Sequence, residues 1–433
     1  MSDAATFEAV REEIAYAYEN TVFFRRHMEE LGLRPEDIRD AADFQRIAPT
    51  SKVHYRRNYP AGVLAQGYHL NSPNVMRFQS SGTSGDRLNS AIMSYDLARR
   101  QATGLGVNRR FDELWQPGSR PRICRFAPPN CSDVECATGF SSMEDRILPD
   151  GTLVLTVAHD LLATPEWQIV KALDEIESYE PDLLVVDPTH FAFLTRWARR
   201  LDRKITSPRR LHTVCGYTLM TRVARRQIEE FMGLDTPVGD MIGMSELGYL
   251  GFECHLGQRH INNRDFYVEF VQDGKPVQDG KPVEDGRTGE LYVTTIDDGL
   301  IPRVRYATGD HFTPLGSPCA CGSELPVVRV EGRATHMVRL SDGRIVTPAA
   351  VDAAVGPAPW MDLYKLEQDS TGVCSFRYIP NAKARPDDVT ALEARLAETL
   401  TPNRVHVEAV DYISSERSGK FQPCLSHISA EGV

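Results

Sequence analysis

The segment "FQSSGTSGDRLNS" (residues 78–90) concentrates small and hydroxyl-bearing residues that could surround an anion. A loop rich in Gly, Ser and Thr can turn successive backbone N–H groups toward a phosphate, and its hydroxyls add further donors. The P-loop pattern is absent, because no lysine follows the glycines. Taken alone, the segment is more typical of an ordinary turn than of a phosphate-binding loop.

Two carboxylates follow turn-forming residues at places where they could face a cleft. Glu246 ends "GMSE", and Asp310 ends "RYATGD". The two oxygens of a carboxylate on a tight turn can accept hydrogen bonds from both hydroxyls of a ribose. In isolation, however, such residues are usually caps or Asx-turns.

Three cysteines and a histidine have the types that a structural zinc ion needs. Cys254 and His260 lie in "ECHLGQRHIN", and Cys319 and Cys321 lie in "PCACGSE". Three thiolates and one imidazole would close a tetrahedral site and leave no open position, so such a metal would brace the fold and perform no chemistry. His255 is a competing ligand. The alternative interpretation is a set of reduced, packed cysteines with a surface histidine.

Several segments, taken in order, resemble the motifs of the adenylate-forming (acyl/aryl-CoA synthetase) superfamily. They are "SSGTSG", "GMSE", "RYATGD", "GRATHM…DGRIVTP" and "RSGKFQP". The cysteine pattern and the N-terminal "FFRRHMEELGLRPEDIRDAADFQRIAPTSK" are similar to phenylacetate–coenzyme A ligase-like enzymes. The resemblance implies that MgATP activates a carboxylic acid as an acyl-adenylate, which then passes to a thiol or amine. It also implies ATP/AMP, Mg²⁺ and structural Zn²⁺ as cofactors, with coenzyme A as a candidate acceptor.

The resemblance assigns phosphate and metal contacts to two of these segments. The residues that would cradle the phosphates are Ser80, Ser81, Gly82, Thr83, Ser84 and Gly85. Arg87 would support their charge, since Asp86 stands where many relatives have a basic residue. Glu246 would hold Mg²⁺, a cation that favours carboxylate oxygens, and Ser245 would lie beside the α-phosphate.

The remaining roles fall on three other segments. Gly216, Tyr217 and Thr218 lie where related enzymes contact adenine, and Asp310 with Arg333 would bind the ribose. Lys420, on a Ser- and Gly-flanked loop, would move in to neutralise charge during adenylation.

A second metal site is conceivable at Cys131 and Cys136, which lie near Asp133 and Glu135. The favoured interpretation is that this segment forms part of the wall of the acid pocket.

Departures from the family pattern leave the second half-reaction open. Ile242 replaces a tyrosine that often stacks near adenine, and Thr335 and His336 replace paired aspartates at the domain hinge. The leading hypothesis is a ligase that joins a small aromatic acid to coenzyme A. The alternatives are an amide-forming ligase or a diazotase that activates nitrite for an aryl amine, and a non-catalytic, zinc-braced nucleotide-binding protein.

The sequence patterns around these residues predict helices and strands that together indicate an α/β fold. Residues 4–30 carry apolar side chains at three- and four-residue spacing, which predicts an amphipathic helix. Short apolar runs at residues 181–188 and 211–216 alternate with helical patterns, which favours buried, partly parallel strands. We predict a large α/β domain of layered sheets and helices over residues 1–333 and a small mobile α+β domain over residues 334–433 that carries Lys420.

Composition excludes some partners. The 433 residues carry a formal net charge of -11 and no basic run, which argues against nucleic acid or an anionic membrane as partner. No apolar stretch reaches the ~20 residues that span a bilayer, and the odd cysteine count does not predict a disulfide framework. We expect a cytoplasmic enzyme with a small-molecule substrate; a homodimer is common among similar ligases. The repeat "DGKPVQDGKPVEDG" (residues 273–286) predicts a duplicated hairpin loop.

Overall fold

The computed structural model describes residues 3–80, 87–115, 119–129, 139–207, 210–233, 235–272, 275–276, 286–316 and 318–428. The chain divides into two compact units, each made of two segments. Unit 1 contains Met1–Arg109 and Met241–Arg329, and unit 2 contains Arg110–Asp240 and Val330–Val433. The predicted domain boundary between residues 333 and 334 stays a prediction.

In chain order, the α-helices are α1 (Asp3–Asn20), α2 (Val22–Glu30), α3 (Ala41–Phe44), α4 (Lys52–Asn58), α5 (Ser94–Leu105), α6 (Glu166–Tyr179), α7 (Pro188–Arg200), α8 (Arg222–Met232), α9 (Pro348–Val355) and α10 (Pro386–Leu400). The strands are β1 (Thr50–Ser51), β2 (Val75–Gln79), β3 (Asn89–Met93), β4 (Ile123–Phe126), β5 (Leu153–Val154), β6 (Leu183–Val186), β7 (His212–Cys215), β8 (Val238–Met244), β9 (Gly248–Glu253), β10 (Arg259–Ile261), β11 (Phe266–Gln272), β12 (Lys275–Pro276), β13 (Gly289–Thr295), β14 (Tyr306–Gly316), β15 (Val327–Arg333), β16 (Val338–Arg339), β17 (Ile345–Val346), β18 (Met361–Gln368), β19 (Cys374–Pro380), β20 (Val405–Ala409) and β21 (Cys424–Ser426).

Unit 1 is built on a largely antiparallel sheet with the strand order β8-β9-β10-β15-β14-β13-β11-β12. The short strand β1 joins β14 in parallel, with Thr50 opposite Tyr306 and Ser51 opposite Ala307. A separate hairpin of β2 and β3 flanks the glycine-rich segment. The pairing of β1 with β14 brings residues near position 50 next to residues near position 306 within unit 1.

The N-terminal residues form two helices, so the prediction of one helix over residues 4–30 is wrong in this detail. Thr21 has an extended backbone between α1 and α2, and its hydroxyl accepts a hydrogen bond from the Phe24 N–H at 3.4 Å. A threonine in this position caps a new helix, because its oxygen satisfies one of the free N–H groups of the first turn. The apolar faces of both helices remain buried against Phe44 and Ile47.

Unit 2 contains a parallel sheet and a smaller mixed sheet. The parallel strands follow the order β5-β4-β6-β7-β8, and their buried apolar side chains pack with α6, α7 and α8. The smaller sheet has the order β20-β19-β18-β21 and packs with α9 and α10. The predicted α/β fold is confirmed, and the helices and mixed sheet near the C-terminus have the predicted α+β arrangement.

The repeat segment is described in part. Lys275 and Pro276 form β12, which pairs antiparallel with β11, and the duplicated hairpin loop stays a prediction. Residues 277–285 lie outside the described residues. None of the described helices is long and apolar enough to cross a membrane.

Candidate active site and metal centre

The base of the glycine-rich loop is held by the β2–β3 hairpin. Ser80 is buried, its N–H donates to the Leu88 carbonyl at 2.8 Å, and its Oγ accepts from the Leu88 N–H at 2.8 Å. Arg87 is exposed and donates to Gln79 Oε1 at 2.8 Å. The other predicted phosphate contacts, Ser81, Gly82, Thr83, Ser84 and Gly85, lie outside the described residues.

Glu246 is a buried carboxylate that the fold keeps ionised. It follows β8 and is only 5% exposed. Lys52 Nζ lies 2.9 Å from Glu246 Oε1, and the Tyr306 hydroxyl donates to the same oxygen at 3.3 Å. Burial opposes the charged form, but Lys52, a backbone N–H and the charge of Arg303 together outweigh it and hold the pKa of Glu246 below its usual value. Ser245, the neighbouring candidate, is half-buried.

Lys52 reaches Glu246 through the pairing of β1 with β14. Thr50 and Ser51 form β1, and Lys52 is the first residue of α4. Lys52 is not among the residues predicted from the sequence, because no local spacing relates residue 52 to residue 246. No local signal in "RIAPTSK" marks this lysine as a partner of Glu246.

The buried Arg303 contacts both the β2–β3 hairpin and Tyr306, the residue whose hydroxyl donates to Glu246. Arg303 is 1% exposed and donates to Ser90 Oγ at 2.6 Å. Its guanidinium lies 5.4 Å from the ring centroid of Tyr55 and 6.0 Å from that of Tyr306. Burial and the adjacent Glu246 charge raise the pKa of Tyr306 well above its usual value, so its hydroxyl remains a donor. Neutral and cationic donors therefore surround the Glu246 carboxylate.

Asp310 is half-buried on β14 beside a second carboxylate. The Gly309 N–H donates to Glu290 Oε1 at 3.0 Å, and the Asp310 N–H donates to Thr308 Oγ1 at 3.1 Å. Burial, with the charge of Asp310, raises the pKa of Glu290. Gly309 has a φ of +77°, a conformation that glycine adopts without strain. Asp310 belongs to unit 1 and Arg333 to unit 2, so their joint role in ribose binding stays a prediction.

In unit 2, Gly216, Tyr217 and Thr218 follow the carboxyl end of β7. The Gly216 N–H donates to the Val186 carbonyl at 3.0 Å, and Tyr217 has a φ of +70°, which is rare for a non-glycine residue. The Thr218 hydroxyl donates to Asp187 Oδ2 at 2.7 Å. Carboxyl ends of parallel strands are the usual place for ligand binding in α/β sheets, so this turn fits the predicted nucleotide contact.

The structure brings Lys420 to this same turn. Its Nζ donates to the Tyr217 carbonyl at 3.2 Å. Lys420, Tyr217 and Asp187 all belong to unit 2. The predicted adenine turn and the predicted catalytic lysine are therefore neighbours, whereas the sequence placed them about two hundred residues apart.

The predicted zinc ligands form one cluster. The ligand atoms of Cys254, His260, Cys319 and Cys321 all lie within 4.8 Å of one another, and His255 is not among them. Their separation fits a Zn²⁺ ion with Zn–S bonds of about 2.3 Å, since the edges of such a tetrahedron are roughly 3.8 Å. His260 Nε2 lies 3.4 Å from Cys321 Sγ.

Hydrogen bonds with neighbouring backbone groups orient the candidate ligand side chains, as they do around metal ligands. His260 Nδ1 lies 2.7 Å from the Leu325 carbonyl, which leaves Nε2 as the free ligand nitrogen. The Cys321 and Ser323 N–H groups donate to Cys319 Sγ at 3.5 Å and Cys321 Sγ at 3.3 Å. Burial raises the pKa of Cys254 to about 11, so metal binding there would release a proton. These residues fit zinc, and zinc binding stays a prediction. Cys131 and Cys136 lie outside the described residues.

Comparisons with known proteins point to one class. No family model matches the chain. Phenylacetate-coenzyme A ligase from Thermus thermophilus is 26% identical over 363 residues, which cover 81% of this chain and 74% of the relative. The Escherichia coli phenylacetate-coenzyme A ligase is 26% identical over 338 residues, 75% of this chain and 69% of the relative.

Solved structures share the fold. A 2-hydroxyisobutyryl-CoA ligase in complex with 2-HIB-AMP has a TM-score of 0.71 at 17% identity, over 99% of this chain and 90% of its own. An amide bond synthetase from Marinactinospora thermotolerans has a TM-score of 0.53 at 16% identity, over 84% of this chain and 71% of its own.

The curated relatives support an adenylate-forming ligase, and the solved structures share the fold of the chain. Within that class the chain is phenylacetate–coenzyme A ligase-like. It is an enzyme, and the non-catalytic alternative is set aside.

Proposed function

We propose that this ligase activates a small aromatic carboxylic acid with MgATP and transfers the acyl group to coenzyme A. In the first step a carboxylate oxygen attacks the α-phosphorus of ATP, and the bond to pyrophosphate breaks. In the second step the thiol sulfur attacks the acyl carbon, its proton is lost, and AMP leaves. The relatives' shared name supports this choice of acid class and acceptor.

The observation that carries the proposal is the ionised, buried Glu246. Burying a carboxylate to 5% exposure is costly, and Lys52, the Tyr306 hydroxyl and the charge of Arg303 offset this cost. Glu246 fits Mg²⁺, which is usually bound by one or two carboxylates together with substrate phosphates. When bound, the ion would neutralise charge on the phosphates.

The chain's own groups would perform the remaining work. Ser80 anchors the loop that would receive the phosphates, and Asp310 offers acceptors for ribose hydroxyls. Lys420, held at the Tyr217 carbonyl, would supply positive charge where negative charge develops. Each of these roles needs positioned donors and acceptors more than covalent chemistry.

The test is acid-dependent pyrophosphate release with ATP, Mg²⁺ and a panel that includes phenylacetate, benzoate, anthranilate and nitrite. Mass spectrometry would identify the adenylate, and addition of coenzyme A should give a thioester. Glu246→Gln should reduce pyrophosphate release by about a hundredfold or more. Glu269→Gln is the matched control, because Glu269 is also buried and paired with a cation, Arg305. Equal losses in both variants would contradict a specific role for Glu246.

The altered hinge favours a second candidate. Ala334–His336 form a short 3-10 turn, and Thr335 and His336 stand where the family resemblance implies paired aspartates. A changed hinge could serve a different second half-reaction, in which an amine attacks the adenylate, or in which activated nitrite reacts with an aryl amine. The fold shared with an amide bond synthetase is compatible with this candidate. Product formation from an amine without coenzyme A would support it, and strict dependence on coenzyme A would exclude it.

A further inference from the structure

The loop that carries Lys420 is internally bonded. We use the name lysine loop for residues 412–421. The Glu416 N–H donates to the Lys420 carbonyl at 2.9 Å, and the Gly419 N–H donates to the Glu416 carbonyl at 2.7 Å. Lys365 Nζ lies 2.5 Å from Glu416 Oε1 and ties the loop to β18. The loop is therefore a preformed turn tied to β18, and its remaining contacts are made with another segment of unit 2.

The docking partner within unit 2 is the segment His159–Leu161, which precedes α6. The Tyr412 hydroxyl donates to Asp160 Oδ2. His159 Nε2 donates to the Arg417 carbonyl at 2.6 Å, and the Leu161 N–H donates to Ser415 Oγ at 3.0 Å. Three consecutive residues thus contact three positions spread along the lysine loop.

Close packing accompanies these hydrogen bonds. Gly419 has a φ of +78°, and a Cβ added there would lie 3.1 Å from Pro129 Cδ and 3.4 Å from the His159 carbonyl oxygen. Phe421 is 1% exposed and packs with Ile413 and with Leu162. A side chain at residue 419 would therefore separate the loop from its support.

The amine of Lys420 depends on this support. The described structure gives Lys420 Nζ one hydrogen bond, to the Tyr217 carbonyl at 3.2 Å. A lysine has a flexible four-carbon stem, so one contact to a backbone oxygen does not fix the ammonium group by itself. The position of the loop backbone sets where that group can reach.

We propose that His159, Asp160 and Tyr412 are positioning residues that hold the lysine loop in the state used for adenylation. The inference rests on the proposed function, because it assigns Lys420 to the first half-reaction. His159 and Tyr412 are exposed and Asp160 is half-buried, so each contact is weak alone and breaking two of them has the larger effect. In the proposed reaction Lys420 would neutralise the charge that develops as pyrophosphate leaves, and pyrophosphate leaves only in the adenylation step, so transfer should not depend on the same contacts.

The first test measures docking without any substrate. Hydrogen–deuterium exchange of residues 412–421 is compared in wild type and in the Tyr412→Phe/His159→Ala double variant. We expect about tenfold faster exchange in the double variant. Tyr95→Phe is the matched control, because Tyr95 is 54% exposed and Tyr412 is 50% exposed. Unchanged exchange in the double variant would overturn the proposal whatever the enzyme's activity.

The second test separates the two half-reactions. Acid-dependent ATP–pyrophosphate exchange, run with whichever acid of the panel the wild type activates, should fall about tenfold in the double variant. Transfer from the chemically prepared adenylate of that acid to coenzyme A or an amine should stay within about twofold of wild type. Equal losses in both steps would show a merely structural role and overturn the proposal. If the wild type activates no acid, the proposed function fails, and the exchange data alone then describe a docked loop without an adenylation role.

Discussion

Lys52 Nζ and Glu246 Oε1 lie 2.9 Å apart, although 194 positions separate the two residues in the chain. The pairing of β1 with β14 creates this contact, because it places the start of α4 beside Tyr306. Unit 1 therefore places a lysine beside Glu246, on an element other than the glycine-rich segment. Its ammonium group and Mg²⁺ would compete for the same carboxylate oxygens.

Removing Lys52 should leave Glu246 as a buried charge without its cation. We expect Lys52→Met to lower the free energy of unfolding by about 2 kcal/mol, less than for a fully buried pair because Lys52 is partly exposed. MgATP should raise the melting temperature more in Lys52→Met than in wild type, since the metal would replace the missing charge. Differential scanning fluorimetry with and without MgATP measures both effects.

A double-mutant cycle tests whether the ion pair between Lys52 and Glu246 causes this loss of stability. Lys52→Met and Glu246→Gln should be coupled by about 1 kcal/mol or more, so the double variant loses less stability than the two single variants together. Lys52→Arg retains the charge and should keep most of the stability. Additive losses would show that the two side chains do not interact.

The pH dependence of stability should reflect Glu13 on α1. Burial, reinforced by the charge of Asp298, raises the pKa of Glu13 to about 8. Between about pH 5 and pH 8 the folded protein therefore holds a proton that the unfolded chain has released, so stability falls as the pH rises through this window. In Glu13→Gln this decrease should be absent. Melting temperatures measured from pH 5 to pH 9 test it.

Glu8→Gln provides the control for this pH effect, because Glu8 lies on the same helix with a 62% exposed side chain. It should show the wild-type profile. A decrease that persists unchanged in Glu13→Gln would assign the proton to another group.

The cysteine–histidine cluster should hold about one zinc ion per chain. Elemental analysis of the purified protein measures the content. Cys321→Ala should lose the metal and lower the melting temperature, because a closed four-ligand site contributes its binding energy to folding. Cys124→Ala removes a buried thiol outside the cluster and should keep the metal. Metal-free wild type, or full metal content in Cys321→Ala, would leave reduced and packed cysteines as the better interpretation.

Site residues that stand in a short local motif could be predicted from the sequence. Short motifs of turn residues contain Glu246, Asp310, Lys420 and the predicted zinc ligands. In the structure, Glu246 contacts Lys52 and Lys420 contacts Tyr217, and the zinc ligands come together from two separate segments. Lys52 could not be found in this way, because its role follows from strand pairing between β1 and β14. Likewise, nothing near His159 marks it as a support for the lysine loop. The break between α1 and α2 at Thr21 was not predicted, because the three- and four-residue spacing of apolar side chains continues through it. The capping hydroxyl of Thr21 marks where the second helix begins.

Gly419→Ala should impair adenylation more than its backbone strain explains. Gly419 and Gly356 both have positive φ, +78° and +71°, and both belong to unit 2, but a Cβ on Gly356 would meet no atom within 4 Å. Each substitution should cost about 1–3 kcal/mol of stability, because both residues have positive φ and Gly356, with a ψ of -164°, lies in a region that glycine almost alone adopts. Only Gly419→Ala would also press on Pro129 and displace Lys420. We therefore expect acid-dependent pyrophosphate release to fall about tenfold or more in Gly419→Ala and to stay within about twofold of wild type in Gly356→Ala. Equal rates in the two variants at equal stability would show that Lys420 does not depend on the close approach of Gly419 to Pro129.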